Sequence, residues 1–374
     1  MQDLLPIDWK RWANWHIPAE RFEHRREPYL RYFRYENRSR DKLSGIAMIT
    51  RDLPKYVTKA RPGGLMTSTR QRLWDVFDWL DLQYSAGANL ALFIEVWPYA
   101  LEWAEEYGQF HKTFHSSPEA EGRVTPHAAL RTEDYWTVAL RMTCLGLLTG
   151  NAAQMPRVMS FLDYGNEDMG VRDGLLERLV APFVPGRGTP PDEAARHLPY
   201  RKLFKVFDAA PDKRPVLMAK YLDDWYHASR REPYVNQHGE GDIAFYGYWS
   251  WEAAAVTWLL DIDDSSYRDM AFYPRDLVDF ARSRPNIAQP PPHYAGTPCQ
   301  QAGYWITSAK RGERRYFAQG EIFPAIPSET TVGQTQWDWD PNQQPVETAP
   351  ASDPARVADS GELAPRAATQ ATSL

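Results

Sequence analysis

The stretch that most constrains the fold is residues 245–282, which reads as an apolar helix, an acidic corner and a second helix. Within residues 248–260 nearly every side chain is apolar or small, and only Ser250, Glu252 and Thr257 interrupt the run. A helix of that composition is apolar on almost all sides, so it is expected to be buried. The sequence therefore predicts a helical core element here.

An acidic corner follows this run directly, with Asp261, Asp263 and Asp264 ahead of two serines. Asp and Ser side chains cap helix starts through their oxygens, so a new turn is predicted at this point. Pro274 suits the first turn of a helix, and residues 277–281 carry the spacing of one apolar face. A second helix is therefore predicted, and Glu252 is expected to be ion-paired or near a helix N-terminus.

Composition points to a cytoplasmic protein with an aromatic core. The chain has 374 residues, enough for two domains, and 13% of them are aromatic. Its two cysteines, Cys144 and Cys299, lie in unlike contexts, which fits a reducing compartment better than a disulfide framework, and Cys144 is expected to be a buried thiol. We see neither an N-terminal apolar signal segment nor an apolar run long enough to cross a membrane.

Most of the chain reads as helix, with a change of character after residue 284. The patterns predict an amphipathic helix in 9–37, a weaker one in 40–60 that breaks at Pro54, and further helices in 132–148, 153–165, 170–179, 199–209 and 214–228. Short aromatic segments between Gly and polar turns then indicate strands. The predicted fold class is mainly α, a bundle-like architecture with a small β-containing appendage and a disordered tail. The predicted divisions are 1–181, 192–284, 285–340 and 341–374.

The charge of the chain is divided unevenly. Residues 1–72 hold sixteen Lys or Arg against eight Asp or Glu, about +8, so the net charge of −6 leaves about −14 for the remainder. Such a body favours a cationic partner over nucleic acid. The arginines and aromatics of 9–37 could form a nucleic-acid surface, but the glutamates among them are expected to pair with the arginines, so no nucleic acid is predicted.

Residues 73–110 contain seven acids and no Lys or Arg. Their apolar spacing predicts two helices, the second kinked or divided at Pro98. At 100° per residue, Glu95, Glu102 and Glu106 form one stripe, which is either an ordinary solvated face or a surface for a partner. The residues predicted to bind a partner are Asp81, Glu95, Glu102, Glu105, Glu106, Asp261, Asp263 and Asp264.

Signatures of catalysis are weak. The sequence has no P-loop, dinucleotide fingerprint, zinc-protease motif or nucleophile elbow. His111 and His115 lie four residues apart and could share a helix face as metal ligands do, which leaves open a metal-dependent enzyme using them and nearby carboxylates. A non-enzymatic interaction scaffold also stays open. We expect no enzyme activity, no metal and no cofactor.

The string YGYWSWEAAAVTWLLDIDDSSYRD, followed by YPRDLVDFAR, resembles the C-terminal domain of PoNi-type immunity proteins. These proteins neutralise PoNe-type DNase toxins of bacterial type VI secretion systems. The resemblance implies a mostly α-helical, cytosolic and non-catalytic protein that binds a cognate toxin encoded beside it. The resemblance also implies a role for the acidic residues, because their carboxylates can occupy the toxin surface that attracts DNA phosphates. A homodimer stays possible, and no membrane partner is expected.

Overall fold

The computed structural model divides the chain into two compact units, residues 1–291 and 292–374. Each unit is described by itself. The residues that the structure describes are 4, 6–121, 127–167, 169–239, 245–283, 293–299, 302–307, 309, 313–327 and 335–339.

The first unit is helical. Its α helices are α1 (Trp9–Ala13), α2 (Tyr32–Tyr56), α3 (Pro62–Ser85), α4 (Ala91–His115), α5 (Glu133–Leu148), α6 (Met155–Asn166), α7 (Gly174–Val180), α8 (Phe204–Asp208), α9 (Arg214–Ala228), α10 (Trp251–Leu259) and α11 (Arg275–Ser283). Short 3-10 helices cover Ala19–His24, Pro118–Ala120, Ala152–Gln154, Tyr200–Leu203 and Pro211–Lys213.

Helix α5 is the centre of this unit. Twelve of its sixteen residues are buried, and it packs against α3, α4, α6, α7, α10 and α11. Helices α2, α3 and α4 follow one another as antiparallel neighbours and cover one side. Gly146 permits the close approach of α4 to α5, since a Cβ there would overlap the indole of Trp97. Cys144 on the same helix is buried, as predicted.

The apolar run of the sequence forms the core helix α10, whose residues 251–257 are all buried. The helix begins three residues later than the composition indicates, because Gly247 has a φ of +120° and the Ser250 amide bonds to the carbonyl of Phe272 instead. The acidic corner caps no helix: Asp263 accepts from the Ser265 amide in a series of turns. As predicted, a helix, α11, begins directly after Pro274.

Three helix predictions are wrong in detail. Residues 9–37 do not form one helix: α1 ends at Ala13, and a 3-10 helix that begins after Pro18 precedes α2. Pro54 and Pro98 do not divide their helices, since α2 runs to Tyr56 and α4 continues to His115, whereas a kink at Pro98 stays a prediction. Packing along the whole helix outweighs the single hydrogen bond that an internal proline removes.

The second unit contains a four-stranded antiparallel sheet, β1 (His293–Tyr294), β2 (Gly303–Thr307), β3 (Glu313–Phe317) and β4 (Gln336–Trp339), in the order β1-β4-β2-β3. Trp305 pairs with Arg315 on one side and Trp339 on the other. Buried aromatic rings cover one face of the sheet, which explains the aromatic spacing that predicted these strands. They are Trp305, Phe317, Phe323 and Trp337.

The fold class is therefore confirmed as mainly α with a small β-containing C-terminal part. The predicted disordered tail, 341–374, lies outside the described residues. The predicted boundary at 182–191 falls inside the first unit, and the division into 1–181 and 192–284 stays a prediction. Within the described ranges, no helix is both long enough and apolar enough to cross a membrane.

Candidate functional site

Four of the predicted partner-binding acids lie on α4, and all four are half-buried. They are Glu95, Glu102, Glu105 and Glu106. The carboxylate of Glu95 accepts a hydrogen bond of 3.0 Å from the Trp12 indole and forms an ion pair of 2.9 Å with Arg11. This glutamate therefore attaches the N-terminal helix α1 to α4.

The remaining acids of α4 neutralise arginines of other helices. Arg157 of α6 donates two hydrogen bonds to the carboxylate of Glu105, at 2.8 and 2.6 Å. These bonds, together with the negative charge of Glu102, raise the pKa of the Arg157 guanidinium. Glu106 pairs with Arg72 of α3, a buried side chain. The stripe is therefore engaged in helix packing, and whether it also contacts a partner stays a prediction.

Asp81 belongs to a buried charge cluster between α2, α3 and α5. Arg141 donates to Asp78 at 3.0 Å and to Asp81 at 2.9 Å, and Lys42 bridges Asp75 and Asp78 at 2.6 and 2.8 Å. The three carboxylates therefore share two cations. The other oxygen of Asp81, Oδ1, is buried and accepts no hydrogen bond of normal geometry among the described residues, although the Trp251 side chain interacts with this carboxylate as a donor.

The acidic corner separates into exposed and buried carboxylates. Asp261 and Asp263 are exposed. Asp264 is only 5% exposed; it pairs with Arg282 at 2.9 Å and accepts from the Tyr273 hydroxyl at 2.9 Å. Asp264 therefore holds α11 against the turn after α10, whereas the contact of the exposed Asp261 and Asp263 with a partner stays a prediction.

Bases that balance these acids could not be found in the local sequence. The cationic partners of Glu105, Glu106 and Asp81 lie 52, 34 and 60 positions away in the chain. Only the folded arrangement brings them together, so the absence of Lys and Arg in 73–110 did not indicate an unpaired surface. The local pattern carries no signal that could have identified these pairs.

A cleft of about 290 Å³ opens beside Asp81 between α3, α5, α9 and α10, and we call it the aromatic cleft. Asp78 and Asp81 on α3, and Thr137 and Arg141 on α5, recur at helical spacings of three and four, so each pair faces the cleft. Seven of the residues that line the cleft are aromatic: Trp74, Tyr200, Trp225, Tyr234, Tyr246, Trp249 and Trp251.

Glu252 closes the floor of the aromatic cleft at the first turn of α10. One of its carboxylate oxygens accepts three hydrogen bonds of 2.7 Å, from the Tyr221 hydroxyl, the Trp225 indole and the Ser250 hydroxyl. Burial raises the pKa of this carboxyl above its ordinary value, because these neutral donors only partly replace water. Glu252 therefore lies near a helix N-terminus, as expected, and its hydrogen bonds come from neutral donors rather than from a cation.

Electrostatics of the aromatic cleft are dominated by acids. Four carboxylates, Asp78, Asp81, Asp134 and Glu252, line it. Asp78 pairs with Lys42 and Arg141, Asp81 with Arg141, and Asp134 with Arg70 at 3.2 Å. Desolvation raises the pKa of Asp81 to about 7, since the attraction of Arg141 does not fully offset burial and the repulsion of Asp78. A cationic group entering the cleft would therefore favour the ionised form of Asp81.

The histidines considered as metal ligands lie at the end of α4. His111 is buried and contacts His127, with ring centroids 5.2 Å apart, while His115 is exposed. In the described part of the chain, no group of three or more His, Cys, Asp or Glu side chains is placed to hold a metal ion. His111 instead belongs to an aromatic cluster with Tyr107 and Phe114.

Comparison with known proteins identifies a segment of the chain that contributes residues to the aromatic cleft. Residues 171–277 match the family model described as PoNe immunity proteins (PoNi), C-terminal. The crystal structure of protein PA2201 from Pseudomonas aeruginosa superposes with a TM-score of 0.59 at 20% identity, covering 75% of this chain and 99% of that one. No curated protein sequence matches significantly.

The superposition shows a shared helical fold, and the family match covers the segment from the loop before α7 into α11. That segment includes the apolar helix α10 and the acidic corner, which carried the resemblance in the sequence. The likeness of this chain to the PoNi immunity proteins is thereby confirmed over residues 171–277.

Proposed function

We propose that this chain is an immunity protein that binds and neutralises a PoNe-type nuclease toxin. The match of residues 171–277 to the PoNi family is the observation that carries the proposal. The protein acts by binding alone, in the cytoplasm of a bacterium, on a toxin delivered by type VI secretion and encoded beside it. No catalytic step is assigned to this chain.

The proposed mechanism is occlusion of a cationic surface. A nuclease must present Lys, Arg or metal charges to the phosphates of DNA, and carboxylates can occupy the same positions. The excess of about −14 charges after residue 72 supplies the complementary field, which also raises the rate of association. Speed matters for an inhibitor that must act before the genome is cut.

The eight acids predicted from the sequence differ in their suitability for this contact. Asp261 and Asp263 are exposed and can meet a partner without losing a structural ion pair. Glu106 and Asp264 neutralise arginines within the fold. We therefore place the primary toxin contact at the acidic corner and a supporting contact along α4, where Glu102 and Glu105 are half-buried.

The test is co-expression with the neighbouring toxin and measurement of the complex in solution. The wild-type chain should protect cells from the toxin and bind it with a nanomolar or tighter dissociation constant. The double variant Asp261→Lys with Asp263→Lys should weaken binding by about 10-fold or more, mainly through slower association. Far-UV circular dichroism of the variant should be unchanged because both side chains are exposed.

A matched control is the double variant Asp212→Lys with Asp223→Lys, which reverses two exposed acids elsewhere and changes the net charge equally. It should retain most of the affinity. An equal loss in both double variants would attribute the effect to net charge and reject the corner as the contact. Absence of any complex with the wild-type chain would reject the proposed function itself.

A further inference from the structure

We propose that the aromatic cleft is a socket for one basic side chain of the toxin, preferably an arginine, which inserts between α3, α5 and α10. The inference rests on the proposed function and identifies the chemistry of one contact within it. It concerns a site different from the acidic corner, because none of the residues that line the cleft belongs to that corner.

The walls of the cleft suit a guanidinium group. Trp249 and Trp251 lie with ring centroids 6.3 Å apart and are tilted, and Trp225 and Tyr234 stack at 5.5 Å on another side. Indole and phenol faces attract cations, and a planar guanidinium also stacks on them. The chain already uses this contact internally, since Lys42 lies 5.3 Å from the ring centroid of Tyr246.

Charge in the cleft selects the same guest. Of the four carboxylates that line it, Asp134 pairs with Arg70, and Asp78 pairs with Lys42 and Arg141. Asp81 shares Arg141 with Asp78, and Glu252 is bonded by neutral donors, so neither has a cation of its own. The buried Oδ1 of Asp81 accepts no hydrogen bond of normal geometry in the described part of the chain, although the Trp251 side chain interacts with this carboxylate as a donor. An incompletely bonded carboxylate oxygen is costly to bury. A cationic donor brought in by a guest would satisfy this oxygen and stabilise the ionised form of Asp81.

Size excludes a large ligand. Pockets for small molecules and cofactors usually begin at about 300 Å³, and this cleft has about 290 Å³. One long side chain with a few waters fills that space. Arginine in a desolvated pocket at the centre of an interface is also among the commonest determinants of affinity.

The test introduces a competing arginine from the chain itself. Thr137 lines the cleft on α5 and is half-buried, so Thr137→Arg places a tethered guanidinium beside Asp134 and Asp81. Toxin affinity should fall about 30-fold or more. The matched control Thr67→Arg adds the same charge at an exposed site on α3 and should change affinity less than about 3-fold.

The second arm uses agmatine, a free alkylguanidinium, as a probe. Agmatine should quench or shift the tryptophan fluorescence of the wild type and of Thr67→Arg, but not of Thr137→Arg, and it should compete with the toxin. Unchanged toxin affinity in Thr137→Arg would overturn the inference. Failure of agmatine to compete would overturn it as well. If the wild-type chain binds no toxin, the proposed function fails, and the agmatine titration alone decides whether the cleft binds cations.

Discussion

His127 should make the stability of this protein depend strongly on pH. Its ring is buried, stacks on Tyr164 with centroids 4.4 Å apart, and bonds through Nε2 to the carbonyl of Phe161 at 3.2 Å. The other nitrogen, Nδ1, has no acceptor among the described residues, so a proton added there would be buried and unpaired. Desolvation, followed by the charge of His111, lowers the pKa of His127 from 6.5 to about 3.

The sign of the effect follows from this depression. In the unfolded chain His127 takes up a proton as the pH falls through about 6.5, whereas the folded protein does not bind that proton until about pH 3. The contribution of His127 to stability is therefore fully present above pH 6.5 and is lost at lower pH. Between about pH 7.5 and pH 4.5 the loss is about 2.6 kcal/mol, and it is nearly the same if the folded pKa is about 4.

The assay is urea unfolding followed by tryptophan fluorescence at about pH 7.5 and pH 4.5, for the wild type and for His127→Gln. Glutamine does not titrate and keeps an amide that can reach the Phe161 carbonyl. The loss of stability on acidification should be about 2.6 kcal/mol smaller in the variant, because the contributions of other groups cancel in the difference. His115→Gln, which removes an exposed histidine, should leave the loss as in the wild type. Equal losses in His127→Gln and wild type would refute the reasoning.

Three further outcomes are expected. Gly165→Ala should destabilise the protein by about 3 kcal/mol or more, because a Cβ there would overlap the carbonyl of His127. Gly64 has open space around it, so Gly64→Ala should be neutral or stabilising by about 0.5–1 kcal/mol. Urea titration of both variants distinguishes these outcomes. Arg141→Met should cost about 3–5 kcal/mol, since it leaves the carboxylates of Asp78 and Asp81 buried without their shared cation, and a cost below about 1 kcal/mol would contradict the cluster. Cys144 should resist thiol reagents until the protein unfolds, because burial raises its pKa well above the ordinary value. Rapid labelling of the native protein would count against this prediction. The variant Cys144→Ala is the control that measures labelling at Cys299.

The structure changes the meaning of the acidic pattern that first suggested a binding surface. Seven acids without a neighbouring base looked unpaired, yet Glu95, Glu105 and Glu106 neutralise arginines that arrive from other helices. An exposed acid and an acid engaged in helix packing have the same local sequence. Their difference depends on residues tens of positions away, which periodicity cannot reveal.

Periodicity and composition were sufficient to predict the helical class, the burial of α10, the helix α5 and the aromatic strands near residues 304 and 315. These features follow from local physics, because an apolar face at helical or strand spacing must be covered. The quoted string within residues 246–282 also sufficed for the family resemblance, which the match over 171–277 confirms.

Tertiary structure alone decided where the charges meet. It brought Asp81 on α3 and Arg141 on α5 together with Glu252 on α10, and so formed the aromatic cleft from segments that lie far apart in the chain. It also decided that Pro98 leaves α4 intact and that Asp264, but not Asp263, is buried. Sequence determines what each helix must bury, whereas the identity of the side chains that a buried carboxylate meets depends on how the helices pack.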